Sequence, residues 1–333
     1  MSSSPPAPLL EAEVPAGKPP MLRVDNPGDA TTWAARHRDA LRATVAEHGA
    51  LLVRGLGISD TTQAAGVFHV FAPELMDNKE AFAAREDYGR GVYSSATWPP
   101  NQPMCMHHEL SYALTVPSLL MFACLKAPAD GGATGVADAA EVCRALPAEL
   151  VDRFARQGWL LDRCYNDEIG ASAAEAFGTD DRSAIEEYCR ANAIEYTWDE
   201  DGSLRTRQHR QAVVDHPADG RRCWFNQIAF LSEFTLAPEV REYLIDVYGA
   251  DALPFTTRYG NGDPLDQDTV NLINSVYDAH TRREPWQDGD LMLVDNLRTA
   301  HSREAYEGDR SVLVAMAQPH PATSPEGHGG SAR

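Results

Sequence analysis

The chain has 333 residues and a formal net charge of −20, from 29 Lys+Arg against 49 Asp+Glu. A chain this long buries a large core, and its acidic balance argues against nucleic acid or an anionic membrane surface as partner. No apolar run approaches the roughly 20 residues needed to span a bilayer, and the N-terminus lacks a secretory signal's positive start and apolar stretch, so a cytoplasmic protein is expected.

Residues 1–20 are rich in Ser, Pro and Ala and read as a disordered tail, as do 319–333, leaving 21–318 as a single domain. Within it, 29–47 has apolar positions at helical spacing and leads into 50–55, a buried strand that ends at Gly55. Residues 61–71 are expected to be helical, and 104–115 and 119–125 extended. The Pro and Gly pair within 127–134 marks a turn. Helices are expected over 139–157, broken at Pro147, and over 181–192. Short strands follow at 194–198, 204–209, 212–215 and 223–230, then helices at 238–248 and 267–280. Strands at 290–295, 299–303 and 311–318 close the domain. Many short strands with surrounding helices point to a mainly β double-sheet jelly roll rather than a doubly wound parallel sheet. The acidic, mixed segment 157–212 is a candidate lid. Six cysteines (Cys105, Cys124, Cys143, Cys164, Cys189, Cys223) form no CxxC pair and read as reduced, mostly buried thiols.

Two distant fragments carry the chemistry: Met106-His107-His108-Glu109, and Asp295-Asn296-Leu297-Arg298-Thr299-Ala300-His301 followed by Arg310. A His-x-Asp/Glu triplet alone is weak, because a chain with 11 His gives roughly one or two by chance, and this one has two. The first, His37-Arg38-Asp39, lies in a helical pattern, where i and i+2 do not share a face. The second heads an apolar, extended-looking segment, and on a strand i and i+2 point the same way, leaving His108 to face the other side. Two imidazoles and one carboxylate leave coordination positions open, the arrangement of non-haem Fe(II) oxygenases.

With the Gly131-Gly132-x-Thr134 turn, Asp295-Asn296 before His301, and Arg310, the chain resembles the taurine dioxygenase (TauD/TfdA) family of Fe(II)/2-oxoglutarate oxygenases. Residues 107–112, Trp224-Phe225-Asn226-Gln227, Pro285-Trp286-x-x-Gly289-Asp290 and 312–316 resemble the branch that includes the oxygenase of syringomycin biosynthesis. The likeness runs from about Asp39 to Gln318. It implies a double-stranded β-helix (cupin-like jelly roll) using Fe(II), 2-oxoglutarate and O2. His107, Glu109 and His301 would be the iron ligands. Arg310 would pair with the distal carboxylate of 2-oxoglutarate, with Thr134 donating to it. A guanidinium fork suits that carboxylate, and the chain's three lysines, Lys18, Lys79 and Lys126, lie outside these motifs.

The implied reaction is hydroxylation of an aliphatic C–H in an amino acid or amino-acid-derived small molecule, free or carrier-tethered, in specialised (antibiotic) biosynthesis. Glu109 occupies the position that related halogenases give to a small residue, which disfavours chlorination; Val314 replaces the second arginine that taurine dioxygenase uses for its sulfonate. Tyr112, Asn226, Gln227 and Arg303 are candidate substrate contacts by analogy, while Trp224 and Trp286 read as core. The same ligand set supports desaturation, epoxidation or ring formation. A non-catalytic jelly roll that binds a carrier protein is the alternative from another class, and a zinc hydrolase would leave Arg310 and Thr134 without a use.

Overall fold

In a computed structural model, residues 10–166 and 169–322 are described. Two sheets face each other. The major sheet has six strands in the order Met21–Arg23, Ala50–Arg54, Leu291–Asp295, Thr115–Lys126, Ser311–Pro321, Val92–Ser94. Its first pair is parallel and the others antiparallel. The minor sheet pairs Thr299–Arg303 with Met104–His107 on one side and Thr134–Asp138 on the other, all antiparallel. This is the expected jelly roll.

The continuous apolar runs of the major sheet follow from its being covered on both faces. Leu52, Leu120, Phe122, Met292, Val314 and Met316 pack into the core shared with the minor sheet. Their neighbours Leu51, Met121, Leu293, Leu313 and Ala315 pack with Leu41, Val45, Val67 and Phe68 of the helices Ala30–His48 and Thr61–Phe71. Both helices start on an aspartate, Asp29 and Asp60, whose carboxylate accepts from a backbone N–H three residues on. Pro147 separates the helices Ala139–Ala145 and Ala148–Gln157, as expected.

The segment expected as a lid supplies Trp159–Tyr165, Leu204–Arg210 and Ile194–Trp198 to a four-stranded antiparallel outer sheet, completed by Phe255–Tyr259. Together with the helices Ala173–Phe177 and Arg182–Ala191, it encloses a small core of its own around Tyr165, Phe177, Ile185, Cys189 and Leu204. Buried polar contacts tie this layer to the loop after residue 71. The Glu80 carboxylate accepts from Tyr188 Oη (2.7 Å) and Gln208 Nε2 (2.5 Å), and Arg163 donates to the carbonyls of Glu80 and Ala81.

Several expectations are corrected. Of the N-terminal tail, residues 1–9 lie outside the described residues, but 10–20 are ordered against the domain. Leu10 N–H donates to Thr44 Oγ1, Glu13 bridges to Met21, and Lys18 pairs with Glu284 at 2.8 Å. The last strand continues through Pro319, His320 and Pro321, because Thr115–Lys126 is long enough to pair with it; the tail beyond 322 lies outside the described residues. The strand expected over 104–115 stops at His107, and that over 223–230 stops at Trp224. All six cysteines are free thiols and five are buried.

Candidate active site

The cross-strand register sets the site. His107 ends its strand and pairs directly with His301 in the centre of the minor sheet. Their ring centroids are 4.2 Å apart, with His301 5.3 Å from Phe122 of the major sheet and His107 stacked on Phe230 at 4.5 Å. Glu109 lies two residues past His107, in a turn where Leu110 takes a φ of 54°. Asn296 fixes that turn. Its Oδ1 accepts from Glu109 N–H (2.9 Å) and its Nδ2 donates to the carbonyls of Glu109 and Pro117. Asp295, beside it, caps the turn leading to His301 by accepting from Leu297 and Arg298 N–H.

One donor atom each from His107, Glu109 and His301 lies within 4.8 Å of the others, and all three residues are buried. Burial holds both imidazoles below the ordinary histidine value, so they are neutral at pH 7 and offer lone pairs. His107 Nδ1 lies 2.8 Å from the Cys105 carbonyl, which leaves Nε2 as its lone-pair nitrogen. The buried Nδ1 of His301 has no hydrogen-bond partner among the described residues. Neutral imidazoles and a hard carboxylate, close together and shielded from water, fit a divalent iron.

The cavity beside this cluster is lined by Thr134, Arg310, Arg303 and Arg85 in addition to the three donors. Arg310 Nε donates to the Gly132 carbonyl (3.0 Å) and Nη1 to Ser95 Oγ (3.3 Å), and burial lowers its pKa to about 10. A Cβ at Gly132 would crowd Pro128 and Tyr306 and lie 3.2 Å from Arg310 Cδ, at a φ of +69° that also favours glycine. Thr134 Oγ1 accepts from Trp286 Nε1 (3.2 Å), so its own hydroxyl proton is available to another acceptor.

The proposed substrate contacts are placed differently. Tyr112 Oη donates to the Glu80 carbonyl, Asn226 Nδ2 to the Ala212 carbonyl and Gln227 Nε2 to the His108 carbonyl. None of the three is among the cavity-lining residues. Each donates to an interior carbonyl that also accepts a second hydrogen bond, from Arg163, Phe225 N–H and Ser111 N–H respectively. Arg303 does line the cavity, but its terminal nitrogens donate to the carbonyls of Trp98, Pro99 and Gln102. His108 faces away from the cluster, with Nδ1 2.6 Å from the Asn296 carbonyl, as strand alternation requires. Trp224 and Trp286 are core. His37 sits on its helix against Trp33, apart from the cluster.

Sequence reasoning missed Arg85, whose Nη2 lies 3.1 and 3.3 Å from the two Glu109 oxygens. No motif surrounds it. A larger groove lies elsewhere, on the outer sheet, where Arg207 and Arg258 both pair with Asp162; none of the donor residues lines it.

A jelly roll with a buried His-Glu-His cluster is an architecture of mononuclear non-haem metal oxygenases. Residues 15–316 match the family described as taurine catabolism dioxygenase TauD, TfdA, and the chain belongs to it. It is therefore a dioxygenase of the group that uses Fe(II), 2-oxoglutarate and O2. The dapdiamide synthesis protein DdaC of Enterobacter agglomerans is 32% identical over 275 residues, which cover 83% of this chain and 84% of the relative. A clavaminate synthase-like protein of Arabidopsis thaliana is 26% identical over 280 residues, covering 81% and 82%. The fold is shared with a putative alpha-ketoglutarate-dependent taurine dioxygenase from Burkholderia xenovorans (TM-score 0.54, 16% identity, 95% and 93% of the two chains). It is also shared with PvcB, an Fe, alpha-ketoglutarate dependent oxygenase from an isonitrile synthetic pathway (TM-score 0.51, 18% identity, 93% and 89%). No helix among the described residues is long and apolar enough to cross a membrane.

Proposed function

We propose that this dioxygenase hydroxylates an aliphatic C–H bond of an amino acid or amino-acid-derived small molecule, free or carrier-tethered, in specialised biosynthesis. In this reading His107, Glu109 and His301 hold Fe(II), while Arg310 and Thr134 hold the distal carboxylate of 2-oxoglutarate. The observation that carries it is that all five line one cavity. The dapdiamide-synthesis relative supports the biosynthetic setting.

Bound at the cluster, iron would supply O2 activation coupled to oxidative decarboxylation of 2-oxoglutarate. The chain's residues do the positioning. The Cys105 carbonyl fixes the His107 tautomer, and Asn296 holds the Glu109 turn against the strand that carries His301. Arg310 is oriented by Gly132 and Ser95, with Nη2 unpartnered among the described residues, and Trp286 turns the Thr134 hydroxyl proton toward other acceptors. Phe122 and Val312 supply apolar walls that exclude water, and Phe230 covers the face of the His107 ring.

The test adds Fe(II) and 2-oxoglutarate to the apoprotein without oxygen and follows the visible charge-transfer band. Its appearance in the wild type and loss in His301→Ala support the site; its absence from folded, iron-loaded protein refutes it. Product mass then decides the outcome, since hydroxylation adds one oxygen and desaturation removes two hydrogens.

A further inference from the structure

Arg85 is the cavity guanidinium for which the reading above has no use. Its side chain is 7% exposed, and Glu109 is its only hydrogen-bond partner among the described residues. The surrounding backbone holds it in place. Thr97 N–H donates to the Ala84 carbonyl (2.8 Å), Ser94 N–H to the Glu86 carbonyl (2.9 Å), and Glu86 N–H to Ser94 Oγ (2.9 Å). Five residues upstream, the buried Glu80 knot ties the same loop to the outer sheet. Arg85 is thus built into the cavity wall.

The charges in the cavity do not balance. Three guanidiniums, Arg85, Arg303 and Arg310, share it with one carboxylate, Glu109. Arg303 is occupied by three backbone carbonyls, and Arg310 is committed to the co-substrate. A divalent iron and a dianionic 2-oxoglutarate cancel each other, so loading the site leaves its positive excess unchanged. Iron held at the cluster would also compete with Arg85 for Glu109, its one hydrogen-bond partner among the described residues. A buried guanidinium left short of acceptors is costly, and a carboxylate is the group its fork fits best.

We propose that Arg85 binds a carboxylate of the substrate, which makes the substrate an acid: an amino acid with a free α-carboxylate, or one with a side-chain carboxylate. This rests on the Fe(II)/2-oxoglutarate reading of the site. The two sources differ in consequence, because a carrier-tethered amino acid has lost its α-carboxylate to the thioester and retains only one on its side chain.

The test uses the anaerobic Fe(II)·2-oxoglutarate holoprotein, titrated with four probes of one skeleton. L-aspartate has both carboxylates, L-asparagine only the α-, L-isoasparagine only the β-, and the diamide neither. Perturbation of the charge-transfer band and calorimetry report binding without turnover. At least one carboxylate probe should bind, and the diamide should bind about 30-fold more weakly, the order expected for a charged hydrogen-bond pair. Whichever monoamide retains affinity identifies the carboxylate that Arg85 reads. Arg85→Gln should lower affinity for that probe to the diamide level while iron and 2-oxoglutarate still form the band, and Arg85→Lys should restore part of it. The proposal is overturned if Arg85→Gln binds the carboxylates like wild type, or if the diamide binds as tightly as they do. It is equally overturned if iron affinity falls as far as probe affinity, which would reduce Arg85 to a positioning residue for Glu109, or if no carboxylate probe binds a holoprotein that forms the band. A wild type that forms no band overturns the underlying site reading instead, and this proposal with it.

Discussion

Replacing Asp290 by alanine should destabilise the fold far more than a typical single substitution. Asp290 is fully buried and accepts from Arg54 Nη2 (2.9 Å), Arg54 Nε (3.3 Å to each oxygen) and Gln287 N–H (2.9 Å). The Arg54 side chain is itself only 7% exposed. Removing one member of a buried pair costs about 3–5 kcal/mol, because the other charge stays behind without its counterion. Arg54 keeps Glu284 at 2.9 Å and the Pro285 carbonyl, which places Asp290→Ala near the lower bound, about 3 kcal/mol. The shift in urea midpoint at unchanged m-value measures it. The control is Arg54→Met combined with Asp290→Leu, which removes both charges and should cost less than Asp290→Ala alone; Glu284 then retains Lys18 at 2.8 Å. A loss below about 1 kcal/mol for Asp290→Ala, or a larger loss for the double variant, would refute the claim that an abandoned charge sets the cost.

The remaining predictions concern the site and its frame. His301→Ala should abolish Mn(II) binding by calorimetry while leaving the far-ultraviolet spectrum unchanged; retained binding removes His301 as a ligand. Arg310→Lys should weaken 2-oxoglutarate by about 1–3 kcal/mol without a matching loss of metal affinity, since an ammonium does not copy the guanidinium fork. Gly132→Ala should also weaken the co-substrate selectively, because its methyl presses on Arg310 Cδ; metal affinity lost in parallel would indicate a wider rearrangement. His216 is raised above its ordinary value of 6.5 chiefly by its hydrogen bond to Asp295, at 3.0 Å. A raised folded-state value gives stability that is fully present below about pH 6.5 and is lost as pH rises from there through the higher folded-state value. The stability advantage of wild type over His216→Gln should therefore shrink with rising pH, and an advantage that grows would reverse the assignment.

Much of this architecture is written in local pattern. The helices at Thr61–Phe71, Pro238–Tyr248 and Gln267–His280 and the strands at Ile194–Trp198 and Thr299–Arg303 coincide with their sequence readings, because periodicity and caps act over a few residues. The errors fall where a side chain, distant or local, overrides that pattern. Residues 104–115 look extended throughout, yet Asn296 captures the Glu109 backbone and ends the strand. Residues 223–230 look extended too, but Asn226 Oδ1 accepts from Ile228 N–H and turns the chain. Asn226 and Gln227 resemble pocket residues by type, but their partners are backbone carbonyls that only the folded chain brings near. Arg85 is the clearest case: it meets Glu109 across an intervening stretch that contains the strands Val92–Ser94 and Met104–His107, with no spacing to reveal the contact.

The pairing of His107 with His301 across the minor sheet has a consequence for how such a site can change. The separation of the two imidazoles is set by the spacing between neighbouring strands, which main-chain hydrogen bonds fix whatever the side chains are. Glu109 stands past the end of that ladder, on a turn held by the side chains of Asn296 and Gln227. The centre is thus modular, with two donors gauged by the sheet and a third that can be exchanged. A lineage built on this plan can replace the carboxylate and alter the chemistry while the histidine pair keeps its gauge and the barrel stays as it is.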